Sequence, residues 1–218
     1  VEIPKDWTFK RPEVADGFDA HVREQLPWYE LVTMATVEIA RHYIPEGGLV
    51  YDIGASTGNL GAALEPTLKA RGARLVGVEA SEEMVTRYRK GERHSVVLAD
   101  ARAFDYQACD VVICFLSLMF LPPTDRAKLI PRLKSKIRPG GALIVVDKIQ
   151  PAGGYLSTAL WRLTLACKQR AGAEPASIMT KELSLAGIQR PLSLRELQTL
   201  DGAEFFRFAE FAGYVVEL

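Results

Sequence analysis

The chain has 218 residues and only three cysteines, Cys109, Cys114 and Cys167. The odd count and the lack of a C-x-x-C pair exclude a disulfide framework and a zinc ribbon, and fit a reducing cytoplasm. Cys109 and Cys114 flank or sit in an apolar run and read as small core residues. Histidine is scarce too: His21, His42 and His94 have no partner at metal-ligand spacing, so surface or capping roles are expected and no metal site is read. The longest apolar run, residues 111–121, falls short of the ~20 residues a membrane helix needs. No signal peptide is read at the start, which is Val1 rather than Met. Charge is balanced, with Lys+Arg and Asp+Glu at 27 each. No global field therefore argues for nucleic acid or an anionic membrane, and the basic run 126–138 reads as a solvated helix face.

What is present is alternation. Residues 1–12, with two prolines and two aromatics, read as an ordered lead-in. Helices are predicted over 14–26, stopped by Pro27, and over 28–43, ended by PEGG. Five apolar strands then alternate with helices: LVYDI, ARLVGVEA, SVVLAD, DVVICFLSL and ALIVVDKI, with helices over 59–70, 81–90 and 124–137 and a turn at RPGG. Ser81 reads as an N-cap. Continuous Val/Ile/Leu strands between helices indicate a parallel sheet buried on both faces. Residues 153–200 look helical, with breaks near 172–175 and at Pro191. The last stretch, AEFFRFAEFAGYVVEL, reads as two strands joined by a tight turn near Ala212–Gly213. No linker, repeat or low-complexity segment appears. The expected architecture is a single doubly wound α/β domain over 1–218. It has a helical cap (1–45), a ligand-binding core (49–149), a helical insertion before strand six (150–200) and a C-terminal hairpin (201–218).

In such sheets the ligand binds outside the carboxyl ends of the strands. Strand one ends in Asp52 and the loop Gly54, Ala55, Ser56, Thr57, Gly58. The spacing of Gly54, Gly58 and Gly61 is G-x-x-x-G-x-x-G, neither the dinucleotide fingerprint nor a Walker loop. A pyrophosphate would be repelled by Asp52, whereas a cationic group would not. S-adenosylmethionine (SAM) has an ammonium and a sulfonium and no phosphate, and backbone N–H groups of the turn can meet its carboxylate. Glu79, ending strand two, can accept both ribose hydroxyls, as in NAD enzymes; Asp100, after strand three, can accept from the adenine amino group. Each acid alone also reads as an ordinary strand-end acid. The glycine loop and three acids in order form a joint signal.

YDIGASTG, VEASEEM, LADARAF and RPGGALIVVDK together resemble the ordered motifs of class I SAM-dependent methyltransferases, which implies a Rossmann-like seven-stranded sheet and SAM as cofactor. DWTF, FDAHVREQLPWYELV, FLSLMFLPP and the helices after Gly153 resemble the carboxy-SAM synthases of tRNA wobble-uridine modification. The resemblance implies cofactor contacts at Tyr29, at Gly54, Ala55 and Ser56, at Glu79 with Ala80, and at Asp100 with Ala101. It places Phe115 where those synthases have an asparagine. Their arginine for the extra carboxylate corresponds to Glu182, in TKELS. A carboxylate there repels that charge, and adjacent Lys181 is expected to point elsewhere. The aromatics Trp7, Trp28, Tyr29, Tyr155 and Trp161 are expected mostly in the core, some roofing the cofactor. Fewer residues precede strand six than in those relatives, from a short connection or a missing segment near 200–203.

These residues imply methyl transfer from SAM to an unidentified acceptor, small molecule or RNA, with no catalytic side chain named. The alternatives are carboxy-SAM synthesis from SAM and prephenate, and a non-catalytic SAM-binding partner subunit. No membrane association is expected, the compartment is cytoplasmic, and the resemblance implies a homodimer.

Overall fold

The computed structural model describes residues 8–9, 12–151 and 153–218. Trp7 and most of the 1–12 lead-in lie outside the described residues. The strands are β1 (Leu49–Ile53), β2 (Arg74–Glu79), β3 (His94–Leu98), β4 (Cys109–Phe115), β5 (Ile137–Lys148), β6 (Ala203–Phe208) and β7 (Phe211–Glu217). They form one seven-stranded sheet in the order β3-β2-β1-β4-β5-β7-β6. Pairings from β3 across to β5 are parallel; β7 runs antiparallel to both β5 and β6. The chain runs outward from β1 to β3 and then returns to β4, so the order reverses between β1 and β4. That reversal opens a crevice at the strands' carboxyl ends.

The helices are α1 (Pro12–Asp16), α2 (Phe18–Gln25), α3 (Tyr29–Tyr43), α4 (Asn59–Ala70), α5 (Glu82–Thr86), α6 (Pro123–Lys134), α7 (Tyr155–Arg170), α8 (Pro175–Ser184) and α9 (Leu194–Leu200). The two-residue period of the strands sorts their side chains between two cores. Tyr51, Ile53, Val112, Cys114, Leu143 and Val145 pack with Leu129 and Leu133 of α6 and Leu200 of α9. Val50, Val111, Ile113 and Ile144 pack with Ala40 of α3 and Leu60, Leu64 and Leu68 of α4. Both faces are covered, which explains the unbroken apolar runs.

Several local expectations change. The predicted helix over 14–26 is two pieces, because Gly17 turns the chain between α1 and α2. Ser81 caps α5 by accepting from Met84 N, but α5 stops at Thr86. Beyond it Arg89 N donates to Thr57 O, which draws the chain toward the β1–α4 loop instead. The 124–137 helix ends at Lys134. RPGG is no turn: it lies inside β5, where Gly140 has φ +82° and the register with β4 shifts. Between the Cys109–Ile137 and Val111–Ala142 pairs β5 runs five residues to β4's two, so three extra residues bulge out there and bend the strand. The hairpin turns at Ala209–Glu210, with Ala209 at φ +49°, rather than at Ala212–Gly213. Gly213 lies inside β7 because the Phe205 ring covers it; a Cβ there would sit 2.6 Å from that ring. The link from α9 to β6 is a short one, with Asp201 in the left-handed region at φ 55°.

The basic run 126–138 is only partly a solvated face. Arg126 is 1% exposed and pairs bidentately with Glu196 at 2.8 and 3.1 Å. It also donates to the carbonyls of Leu118 and Arg190, pinning α6 to α9 and to the strand-four exit. Cys109 and Cys114 are buried as expected. Among the described residues no helix is long and apolar enough to cross a membrane.

Candidate functional site

A cavity of about 370 Å³ opens at the carboxyl ends of β1, β2 and β4. The N-terminal helices α2 and α3 form one wall, and α7 and α8 another. Asp52, Gly54, Ala55, Ser56, Glu79, Ala80, Asp100, Ala101, Phe115 and Tyr29 all line it. Gly58 does not. It takes φ +85° as the N-cap of α4 and packs under Tyr88, so its role is the turn itself.

The glycine loop is built for close approach. Gly54 has φ +75°, and a Cβ there would stand 2.7 Å from Ser117 Cβ. Ser56 holds φ +49°, a costly conformation for a non-glycine residue, at the cavity wall. Its N–H donates to Glu79 Oε2 at 2.9 Å, while Ser81 N–H donates to Glu79 Oε1 at 2.8 Å. Glu79 thus ties the loop after β1 to the loop after β2. The carboxylate keeps acceptor capacity for a further donor. Asp19 of α2 accepts from Thr57 Oγ1 at 2.6 Å and from Asn59 Nδ2 at 2.7 Å. These bonds dock the N-terminal cap onto the same loop.

The electrostatics are those of acids short of a cation. Burial raises the Asp52 pKa to about 7, and Glu79 adds to it. Burial also raises Glu79, against the lowering effect of its backbone hydrogen bonds. A cationic ligand here restores both to the charged form. Asp100 differs. Its carboxylate accepts from Arg102 N at 2.9 Å and Arg102 Nη2 at 2.6 Å, which holds it below the usual carboxylate range. It lines the cavity already paired, and serves as the cap of its own loop.

Tyr29 opens α3 at 5% exposure, edge-on to Phe115 with ring centroids 5.7 Å apart. Burial pushes its phenol to about 12, so it stays neutral. The two rings close the cavity where the chain leaves β4. The 3-10 turn that follows (Leu118–Phe120) is fixed by buried Asp147, which accepts from Leu118 N at 2.7 Å. Trp28 is buried among Phe206, Phe208 and Phe211, and Trp161 lines the cavity, but Tyr155 is 78% exposed and belongs to no core.

The α7–α8 wall corrects the expectation for Lys181. Lys181 and Glu182 line the same cavity, and so does Lys168. Lys168 Nζ donates to Glu182 Oε1 at 2.9 Å, with Lys168 only 6% exposed. Burial works to raise the Glu182 pKa, but Lys168 outweighs it and the net shift is downward. Glu182 is therefore ionised and neutralised locally. Lys181 is pulled down to about 5, by burial first and Lys168 second. His21 is no surface residue: it is 5% exposed and lines the cavity, and burial lowers its pKa to about 4. His94 is buried too, 3.1 Å from Tyr88 Oη through Nδ1. His42 is exposed in the last turn of α3. Sequence reasoning missed Lys168, Gln25, Lys148 and Glu210 as lining residues. None carries a local motif; packing of separate elements brings them in.

The fold is that of the class I SAM-dependent methyltransferases. Residues 50–141 match the methyltransferase domain family. Over 99% of its length the chain is 29% identical to the carboxy-S-adenosyl-L-methionine synthase of Wolinella succinogenes, covering 95% of that protein. Among solved structures it superposes on human N-acetylserotonin methyltransferase in complex with SAM with a TM-score of 0.62 at 12% identity. That match covers 99% of this chain and 60% of the other. The DhpI–SAH complex gives 0.61 at 15% identity, covering 94% of this chain and 91% of that one. These structural likenesses carry the fold.

Proposed function

We propose that the chain is a SAM-dependent methyltransferase acting on an acceptor that enters between α2 and the α7–α8 wall. The observation that carries it is Asp52 and Glu79 beside the Gly54–Ser56 loop in one cavity, with Asp52 raised by burial and by the second acid. That donor set rejects a pyrophosphate and suits a cofactor with cationic and hydroxyl groups. SAM supplies a methyl group activated by its sulfonium. Asp52 and the backbone at Gly54, Ala55 and Ser56 hold the methionine end, Glu79 with Ala80 the ribose, and Ala101 with Asp100 the adenine. Tyr29 and Phe115 exclude water at the reacting end. The chain's contribution is positioning and desolvation, which supply much of the acceleration in an in-line transfer.

Local neutralisation of the far-wall acids favours a second reading: Lys168 pairs with Glu182 at 2.9 Å and Lys148 with Glu210 at 3.6 Å. Lys148, Lys168 and Lys181 line the cavity together with Glu182 and Glu210. With Glu182 neutralised by Lys168, the charge argument against carboxy-SAM synthesis from SAM and prephenate weakens. Phe115 and Glu182, where those synthases carry asparagine and arginine, keep methyl transfer first. A single domain over 1–218, a cytoplasmic site of action and a homodimer complete the proposal. Leu156, Met179 and Leu183, each more than half exposed on α7 and α8, support the dimer. Mass spectrometry of the ligand released from purified protein, then tritiated-methyl transfer to fractionated RNA, protein and metabolites, tests the assignment. Release of carboxy-SAM in place of SAM would reverse the two readings.

A further inference from the structure

Gln25, the last residue of α2, lines the cavity at 6% exposure. Both polar atoms of its carboxamide, Nε2 and Oε1, are shielded, and neither has a hydrogen-bond partner among the described residues. A buried donor and a buried acceptor left unmet each cost their full desolvation, so a native protein that keeps both has a use for them. Packing does not require the amide, since an apolar side chain of similar shape fills the same space without that cost. One helical turn earlier on the same face of α2 stands His21, which lines the same cavity. Its imidazole is influenced by Lys181 and Lys168. Gln25 thus reaches the cavity from the α2 wall, as His21 does, while Lys168 and Glu182 reach it from α7 and α8. The wall there makes no demand for an anion, because Lys168 and Glu182 balance each other at 2.9 Å.

We propose that Gln25 is a specificity-determining residue, and that the acceptor carries an N–H beside a C=O, as in a carboxamide, lactam or imide. The acceptor's N–H donates to Oε1, and its carbonyl accepts from Nε2. The inference rests on reading the cavity as shared by SAM and an acceptor. A molecule with only one of the two groups leaves half the carboxamide unmet; one with neither leaves all of it unmet. Sites built this way reject the analogue lacking the polar group far more strongly than an apolar pocket rejects a change of size.

The test uses the full chain, wild type and Gln25→Leu, and two five-membered-ring probes, 2-pyrrolidinone and cyclopentanone. Binding of each is followed by ligand-observed NMR with and without S-adenosylhomocysteine, whose own affinity is measured by calorimetry. Wild type is expected to prefer 2-pyrrolidinone about tenfold or more, and Gln25→Leu to lose that preference. S-adenosylhomocysteine affinity should stay within about twofold, because the strand-end acids are untouched. The ligand-free variant should melt roughly 2–4 °C higher, since two unmet polar atoms are gone. A lower melting temperature would mean that the fold itself holds the amide, and would overturn the proposal. So would an equal preference in both proteins, no preference in wild type, or a loss of cofactor affinity in the variant. Absence of S-adenosylhomocysteine binding to wild type would count against the cofactor reading alone, because the probe comparison without cofactor still decides the role of Gln25.

Discussion

Lys168 on α7 and Glu182 on α8 form an ion pair at 2.9 Å in the wall of the ligand cavity. The pair turns an acid that reads as a repulsive element in the sequence into one half of a neutral unit. It also makes the acid's replacement informative. Glu182→Arg removes the balance and adds a fork-shaped cation beside Lys168. The ratio of carboxy-SAM to SAM affinity, measured by competition calorimetry, should rise about tenfold or more, equivalent to ~1.4 kcal/mol. An unchanged ratio would remove charge at this position as a ground for preferring SAM.

Cofactor binding is expected to depend on pH through Asp52. Its pKa is raised to about 7 in the folded protein by burial and by Glu79. A raised carboxyl is more protonated folded than unfolded, so its contribution to stability is complete below the unfolded value near ~4 and is lost as pH rises toward 7. Ligand-free protein should therefore lose stability from this group across that interval. Binding of a cation runs the other way, because it needs the carboxylate. SAM affinity should climb by up to about tenfold per pH unit between 5 and 7 and level off above. Asp52→Asn should flatten the profile; a profile unchanged by the substitution would remove Asp52 from the site.

Glu79 joins two loops and lines the cavity at once. Glu79→Ala releases the N–H groups of Ser56 and Ser81 and removes the proposed ribose acceptor. The expected loss in SAM affinity is about 2–3 kcal/mol, a factor of about 30–150, by calorimetry. Glu79→Gln should recover part of it through the remaining oxygen. Unaltered affinity in the alanine variant would sink the ribose assignment.

Gly54→Ala meets two obstacles, a left-handed φ of +75° and a Cβ contact of 2.7 Å with Ser117. The loop or Ser117 must move. A stability loss of about 1–3 kcal/mol is expected in chemical denaturation, with weakened SAM binding. Neutral behaviour on both counts would show the loop to be looser than its geometry.

Arg126 offers a test of scaffold against surface. It is 1% exposed, pairs with Glu196 and reaches two carbonyls, whereas Arg41 and Glu38 form an exposed pair on α3. Arg126→Met should cost about 3 kcal/mol, with a melting drop of roughly 6–12 °C. Arg41→Met should cost under about 1 kcal/mol. Similar costs would mean that α6 is not held through Arg126.

Much of the fold was legible because it depends on near neighbours. The runs LVYDI and VVICF repeat apolar residues without a gap, which only a strand covered on both faces tolerates. Ser81 with Glu82 and Glu83 announces a helix start from within one turn. The loop Gly54–Gly58 with its preceding acid marks the cavity from the seven residues Asp52–Gly58. Legibility failed where a partner lies far along the chain. Gly213 reads as a turn until Phe205 is seen lying on it. Arg126 reads as solvated until α9 brings Glu196 to it.

The sequence by itself determined the alternating sheet, the glycine loop and the three acids at successive strand ends. Each depends on a strand period, a turn conformation or the chemistry of one side chain. Tertiary structure alone decided the far wall: that Lys168 neutralises Glu182, that Lys181 faces the cavity, and that His21 and Gln25 are buried beside it. Charge and hydrogen bonding act over a few ångströms of space, and α2, α7 and α8 are brought within that range only by packing around the cavity.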